Sequence, residues 1–265
     1  MLALDTATPA VVAALVALAP DPAAPAASAD LVAGDRGAPT RASATSRPAE
    51  PGQQRGAAVV LAARVTAGAR RHGEQLAPAV AAVLAEAGCR PGDLTAVVAG
   101  LGPGPFTGLR VGLVTAAALA DALGIPAYGA CSLDAIAAPG HLPSGRLLVA
   151  TDARRREVYW AAYDETGTRI AGPDVDRPAD LTARLAGLDL AAMCGAGARL
   201  YREALPLPLV DRADHPDHPD PAALAGLARD RVLAGAPTEP LTPLYLRRPD
   251  ASPPGRPKPV TAGAS

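Results

Sequence analysis

The stretch GLGPGPFTGLRVG, residues 101–113, has the make-up of a glycine-rich turn running into an apolar helix. Such turns cradle phosphate when successive backbone N–H groups converge at a helix N-terminus. This one is poorly equipped for that chemistry. Pro103 and Pro105 remove two donors, and Leu109 and Arg110 follow Gly108 where a P-loop carries Lys and Ser or Thr. The third glycine of a G-x-G-x-x-G dinucleotide fingerprint is also misplaced. The only lysine is Lys258, in the C-terminal tail, which excludes a P-loop or Schiff-base lysine in the body of the fold. By motif alone the loop is a rigid turn that aims a helix. DHPDHPD, residues 214–220, sets His215 and His218 among three aspartates, but two prolines break any ligand spacing and an exposed turn is expected. No Ser/His/Asp or Cys/His set stands out, and H-E-x-x-H is absent.

The elements that must position these residues follow from the apolar pattern. MLALDTA and VVAALVAL read as a hairpin, and AAVVLAARV resumes the sheet as a third strand. Between them, residues 19–56 are rich in Ala, Pro, Ser and Gly without periodicity, which predicts a disordered insertion. Leu76, Val80, Val83 and Leu84 recur at helical spacing and predict a helix from His72 to near Gly88, with Pro78 tolerable only in its first turn. DLTAVVAG is the strand feeding the loop; a helix over about 107–123, strand IPAYGA and a helix from Ser132 follow. In the second half RLLVATDAR and EVYWAAYDETG form a hairpin with Arg154–Arg156 at its bend. DLTARLAGL and PAALAGLARDRVLAG are helical, and AAMCGAG is a buried strand. Two halves that each open with an apolar strand, an Asp and a hairpin point to a duplicated α/β unit.

The bulk numbers fit this picture. The 265 residues suffice for one large or two small domains, and a net charge of −1 supplies no global field for nucleic acid. With 49% apolar but only 3% aromatic residues, the core is built from small side chains. Cys89, Cys131 and Cys194 are too few and too scattered for a disulfide framework. The apolar run near the N-terminus is too short to span a bilayer and no Lys or Arg precedes it, so a cytoplasmic chain without a membrane partner is expected. On the helix after the loop, Gly108, Gly112, Ala116 and Ala120 recur every fourth residue, a stripe along which another helix, from this chain or a partner, can pack closely, with part of it expected to be buried in the chain's own fold.

LALDTAT, HGEQLAP, GLGPGPFTGLRVGL, SLDAIA, DARRREVYWAAY and PLYLR occur in this order, and through them the chain resembles the TsaB (YeaZ) family. The resemblance implies an α/β, two-lobed actin/sugar-kinase/Hsp70-like fold of duplicated ribonuclease H-like units. It places a first lobe at 1–140, a second at 141–248 and a flexible tail at 249–265. It further implies a non-catalytic dimerisation subunit of a tRNA threonylcarbamoyladenosine complex, with no cofactor of its own. Its partner is the catalytic homologue TsaD; the ATPase TsaE and the tRNA are met through the complex. Where that homologue holds metal with H-x-x-x-H after its P-x-x-G strand, this chain has Ser132 and Ile136 after PAYG. Asp5 and Asp152 match the acids that position metal-bound phosphate in kinases and ATPases of this fold. DTATPA and Asp152-Ala153-Arg154 lack the glycines those enzymes use, which sets the alternative, an ATPase or small-molecule kinase, behind. Asp5 is then a structural strand-end cap. A helix pair in the family docks on the catalytic subunit and also supports a homodimer. The expected interface here is His72, Glu74, Leu76, Phe106, Thr107, Gly108, Arg110, Gly112 and Ala116. The basic tail adds at most a weak pull on tRNA.

Overall fold

The run LALD forms β1 (Leu2–Asp5), central in a five-stranded sheet of the computed structural model, which describes residues 1–18, 58–68, 71–137, 145–210 and 217–247. The expected insertion, His215 and the tail beyond 247 lie outside the described residues. β1 pairs antiparallel with β2 (Val11–Leu18), which pairs antiparallel with β3 (Ala58–Thr66). On its other side β1 runs parallel to β4 (Val97–Gly100), and β4 to β5 (Ala127–Ala130). The order is β3-β2-β1-β4-β5. The second sheet repeats it as β8-β7-β6-β9, built from β6 (Arg146–Asp152), β7 (Val158–Tyr163), β8 (Arg169–Asp176) and β9 (Leu190–Cys194). Here too the first strand is antiparallel to the second and parallel to the fourth. The duplicated α/β unit is therefore present in topology and direction, the actin/sugar-kinase/Hsp70-like arrangement.

Alternation along β1 decides what covers each face. Leu2 and Leu4, with Val11, Leu15, Val97 and Ala99, pack under α1 (His72–Glu86) and α2 (Phe106–Leu123). Ala3, Ala14, Val98 and Tyr128 form the opposite face, and small side chains there admit α6 (Pro221–Gly226) at close range through Leu224 and Ala225. The sequence placed this segment with the second half. In the structure it returns to the first sheet, followed by α7 (Arg229–Leu233) and an extended stretch that bonds through Glu239 N–H to Ala127 O and Leu244 N–H to Leu101 O. PAALAGLARDRVLAG is thus two short helices rather than one. α3 (Ser132–Ile136) sends Leu133 and Ile136 into the core of the second sheet beside Leu147 and Val149, so one wedge ties the two units together. On the far face α4 (Pro178–Arg184) and α5 (Ala196–Leu200) contribute Leu181 and Ala198.

Pro78 departs from expectation: it lies in the second turn of α1, not the first. Its side of the helix is exposed, so the carbonyl left without a helical partner meets water rather than core.

Candidate functional site

The turn after β1 explains the glycine-proline loop. Gly104 is pressed so closely on it that a Cβ there would lie 2.1 Å from the carbonyl oxygen of Ala7. The concavity of the loop is filled by protein backbone. The next residue inward, Thr6, inserts its hydroxyl into the first turns of α2, donating to Gly108 O at 2.7 Å and accepting from Gly112 N–H at 2.9 Å. A Cβ on Gly112 would fall 2.5 Å from that hydroxyl. The DTA turn and the loop are one interlocked unit, and His72 fastens α1 to it by donating from Nε2 to Thr8 O at 3.0 Å.

Asp5 is buried at the centre of this unit. Oδ1 accepts from Ala7 N–H at 2.8 Å and Oδ2 from the Ser132 hydroxyl at 2.5 Å, while Ser132 Oγ accepts from Gly102 N–H at 3.1 Å. It ties the strand end to both loops, as a cap does. Burial raises its carboxyl to about 6, opposed by the hydrogen bonds from Ser132 and Ala7. The folded state therefore keeps a proton that the unfolded chain loses near the ordinary value of 3.8, and stability falls as pH rises between about 4 and 6. The displacement corresponds to about 3 kcal/mol at 1.36 kcal/mol per unit. Asp5→Asn keeps an acceptor for Ala7 and can donate to Ser132 without a buried charge. Denaturation midpoints taken from pH 4 to 7 should fall less steeply for Asp5→Asn than for the native chain; parallel curves would rule this linkage out.

The positions that match a metal pair do not fit one. Ser132 is engaged by Asp5 and Gly102, and Ile136 is core. Asp152, the counterpart of Asp5, accepts from the backbone N–H of Arg154 at 2.9 Å and pairs with the guanidinium of Arg154 at 3.1 Å. A cation of the protein's own thus neutralises it. Burial pushes the Cys131 thiol up to about 11 and Cys194 to about 12, so neither is a nucleophile at neutral pH.

The expected interface residues separate into three groups. Leu76, Gly108, Gly112 and Ala116 are buried within the chain. The stripe expected to receive another helix is filled by Thr6 and the sheet, because a small-residue face is what the inserted hydroxyl and β1 require. Although α2 is long and apolar enough to cross a membrane, the face carrying Leu109, Leu113, Ala116 and Ala120 packs on this sheet. Phe106 and Arg110 are exposed but turn toward the C-terminal segment. The rings of Phe106 and Tyr245 stack at 5.3 Å between centroids, Arg110 sits 3.8 Å over Phe106, and its Nε donates to the Tyr245 hydroxyl at 2.9 Å. Glu74 and Thr107 are exposed near α1–α2, and His72 is half-buried between them.

What remains open on the helix pair is a different small-residue face. Gly73, Ala77 and Ala81 are exposed at four-residue spacing on α1, and a Cβ on Gly73 would lie 4.0 Å from Val111 of α2. Thr107, Val114 and Ala118 are exposed on the outward side of α2, with Val114 at 65% and beside Arg110 and the C-terminal stretch. Of this face the expected interface contains only Thr107, although HGEQLAPAVAA carries its period. Sequence reasoning gave no site role to Tyr159, Arg154, Tyr245 and Arg247, which lay inside the quoted DARRREVYWAAY and PLYLR motifs.

Comparison with known proteins agrees with this geometry. The family model of tRNA N6-adenosine threonylcarbamoyltransferase, TsaD, matches residues 64–231. A Mycobacterium tuberculosis protein, Rv3421c, is 50% identical over 195 residues, 74% of this chain and 84% of its own length. The Escherichia coli tRNA threonylcarbamoyladenosine biosynthesis protein TsaB is 39% identical over 102 residues, 37% of this chain and 44% of that protein. YeaZ from Pseudomonas aeruginosa superposes with a TM-score of 0.63 at 27% identity, covering 92% of this chain and 98% of that one. Fold, loop and relatives agree: the chain belongs to the TsaB (YeaZ) family.

Proposed function

We propose that the chain serves tRNA threonylcarbamoyladenosine formation as a non-catalytic docking subunit that holds a TsaD-type transferase in its working state. Membership of a family whose named relatives are threonylcarbamoyladenosine biosynthesis proteins supports the pathway. The observation that carries the docking role is the exposed face of Gly73, Ala77, Thr107 and Val114. Two helices with small outward side chains let a second pair approach at short axial distance and make a four-helix contact. The transferase supplies metal and threonylcarbamoyl chemistry. This chain contributes surface, since Ser132 and Ile136 stand where ligands would be and its phosphate loops are filled by Ala7 and by Arg154. Those same fillings weigh against an ATPase or kinase.

The test is reconstitution with the TsaD homologue from the same organism. The two chains should co-elute as a stable complex. Threonylcarbamoyl transfer to tRNA should require both, and this chain alone should neither transfer nor hydrolyse ATP. ATP turnover by the chain alone, lost on Asp152→Asn, would reinstate the kinase reading.

A further inference from the structure

On the flank of α2 away from α1, the two units face each other across a cavity of about 740 Å³. Its walls come from three distant segments: Phe106 and Arg110 of α2, Arg154, Arg155 and Tyr159 of the β6–β7 hairpin, and Tyr245 and Arg247 of the C-terminal stretch. The chain has only five tyrosines, one phenylalanine and one tryptophan, and three of these seven rings meet here. Four guanidinium groups line the cavity, and no carboxylate does among the described residues. Asp152 and Glu157 lie behind it, pairing with Arg154 and Arg247. In a protein of net charge −1 this is a local cationic cleft, not part of a general basic field.

Two features show that it is built rather than incidental. Phe106 and Tyr245 are 53% and 45% exposed, yet their orientation is fixed by stacking on each other and by Arg110. The three arginines at the hairpin bend hold left-handed backbone, with φ of 62°, 54° and 63° at Arg154, Arg155 and Arg156. That conformation costs non-glycine residues about 1 kcal/mol or more each, and such strain collects at ligand sites. Half-exposed rings with guanidinium groups around them are the chemistry that holds single-stranded nucleic acid, bases on the aromatic faces and phosphates on the arginines. An enclosed nucleotide pocket would need backbone donors for phosphate, which Pro103 and Pro105 lack.

We propose that this aromatic-arginine cleft binds a single-stranded segment of RNA. The cleft chemistry stands by itself; the choice of RNA rests on the proposed place in tRNA modification. Fluorescence anisotropy of the full chain with a labelled ten-nucleotide single-stranded RNA of mixed sequence tests it. Tyr245→Leu, which keeps bulk but removes the ring, should weaken binding about tenfold. Arg154→Gln should lower the salt dependence of log K by about one contact. Both variants should keep the native melting temperature within a few degrees, so that lost RNA binding is not lost fold. Binding that is absent, that survives both changes, that is as tight for duplex RNA, or that ADP matches with the same sensitivity would overturn the proposal. Failure of the native chain to join the transferase would sink the docking role and leave the RNA measurement standing.

Discussion

Gly112→Leu destabilises the isolated chain by on the order of 4 kcal/mol, summing overpacking of about 1–3 kcal/mol with the loss of buried hydrogen bonds. The first atom added already lies 2.5 Å from Thr6 Oγ1, and the remaining three carbons must enter the space between α2 and the turn after β1. That turn cannot yield alone. Its Thr6 hydroxyl is held by Gly108 and Gly112, its Asp5 by Ser132 and Ala7, and its Ala7 carbonyl abuts Gly104. A drop of roughly 10 °C in melting temperature is expected for a domain of this size. A coupled pair isolates the cause. Gly112→Ala alone should destabilise, and the same change in a Thr6→Ala background should cost less, because the obstructing oxygen is gone. Thr6 Cβ would then be the nearest heavy atom, at 3.5 Å. Equal costs in both backgrounds would mean that Thr6 does not set the size limit on α2.

Of the two fates open to this stripe, burial within the chain holds for Gly108, Gly112, Ala116 and Ala120. Period four on α2 identified one face of small residues, but periodicity carries no sign. A face of glycine and alanine suits an internal hydroxyl and an external helix equally. The partner that settled it, Thr6, lies more than a hundred residues away in sequence. The same limit hid the stacking of Phe106 with Tyr245, whose segment reaches α2 by crossing back over the first sheet. Strands with uninterrupted apolar runs, such as VVAALVAL and RLLVATD, were legible because both faces are covered. β8, RIAGPDVD, was not: it pairs only with β7, lies half exposed, and carries Gly172 and Pro173 in place of an apolar pattern. The work of Ser132 in the Asp5 network and of Ile136 in the inter-sheet core joins segments far apart in sequence and needed coordinates.

Val114→Arg should leave the chain folded and weaken its complex with the transferase on the order of a hundredfold. Val114 is 65% exposed and arginine is a good helix former, so the monomer should change by no more than about 0.5 kcal/mol. In a helix-on-helix contact the guanidinium would be stripped of water without a partner, a penalty of about 2–5 kcal/mol. Taking 3 kcal/mol, affinity falls on the order of a hundredfold. Ala77→Arg, exposed on α1, should behave alike. A homodimer built on this surface would dissociate with the same two changes. Sedimentation of the mixed chains reads the complex, and thermal melts of the variants read the fold. The contrast with Gly112→Leu gives the test its force: two residues apart on one helix, one change lowers the stability of the fold and the other weakens only association. Folded Val114→Arg and Ala77→Arg chains that bind the transferase with native affinity would move the docking surface off this helix pair.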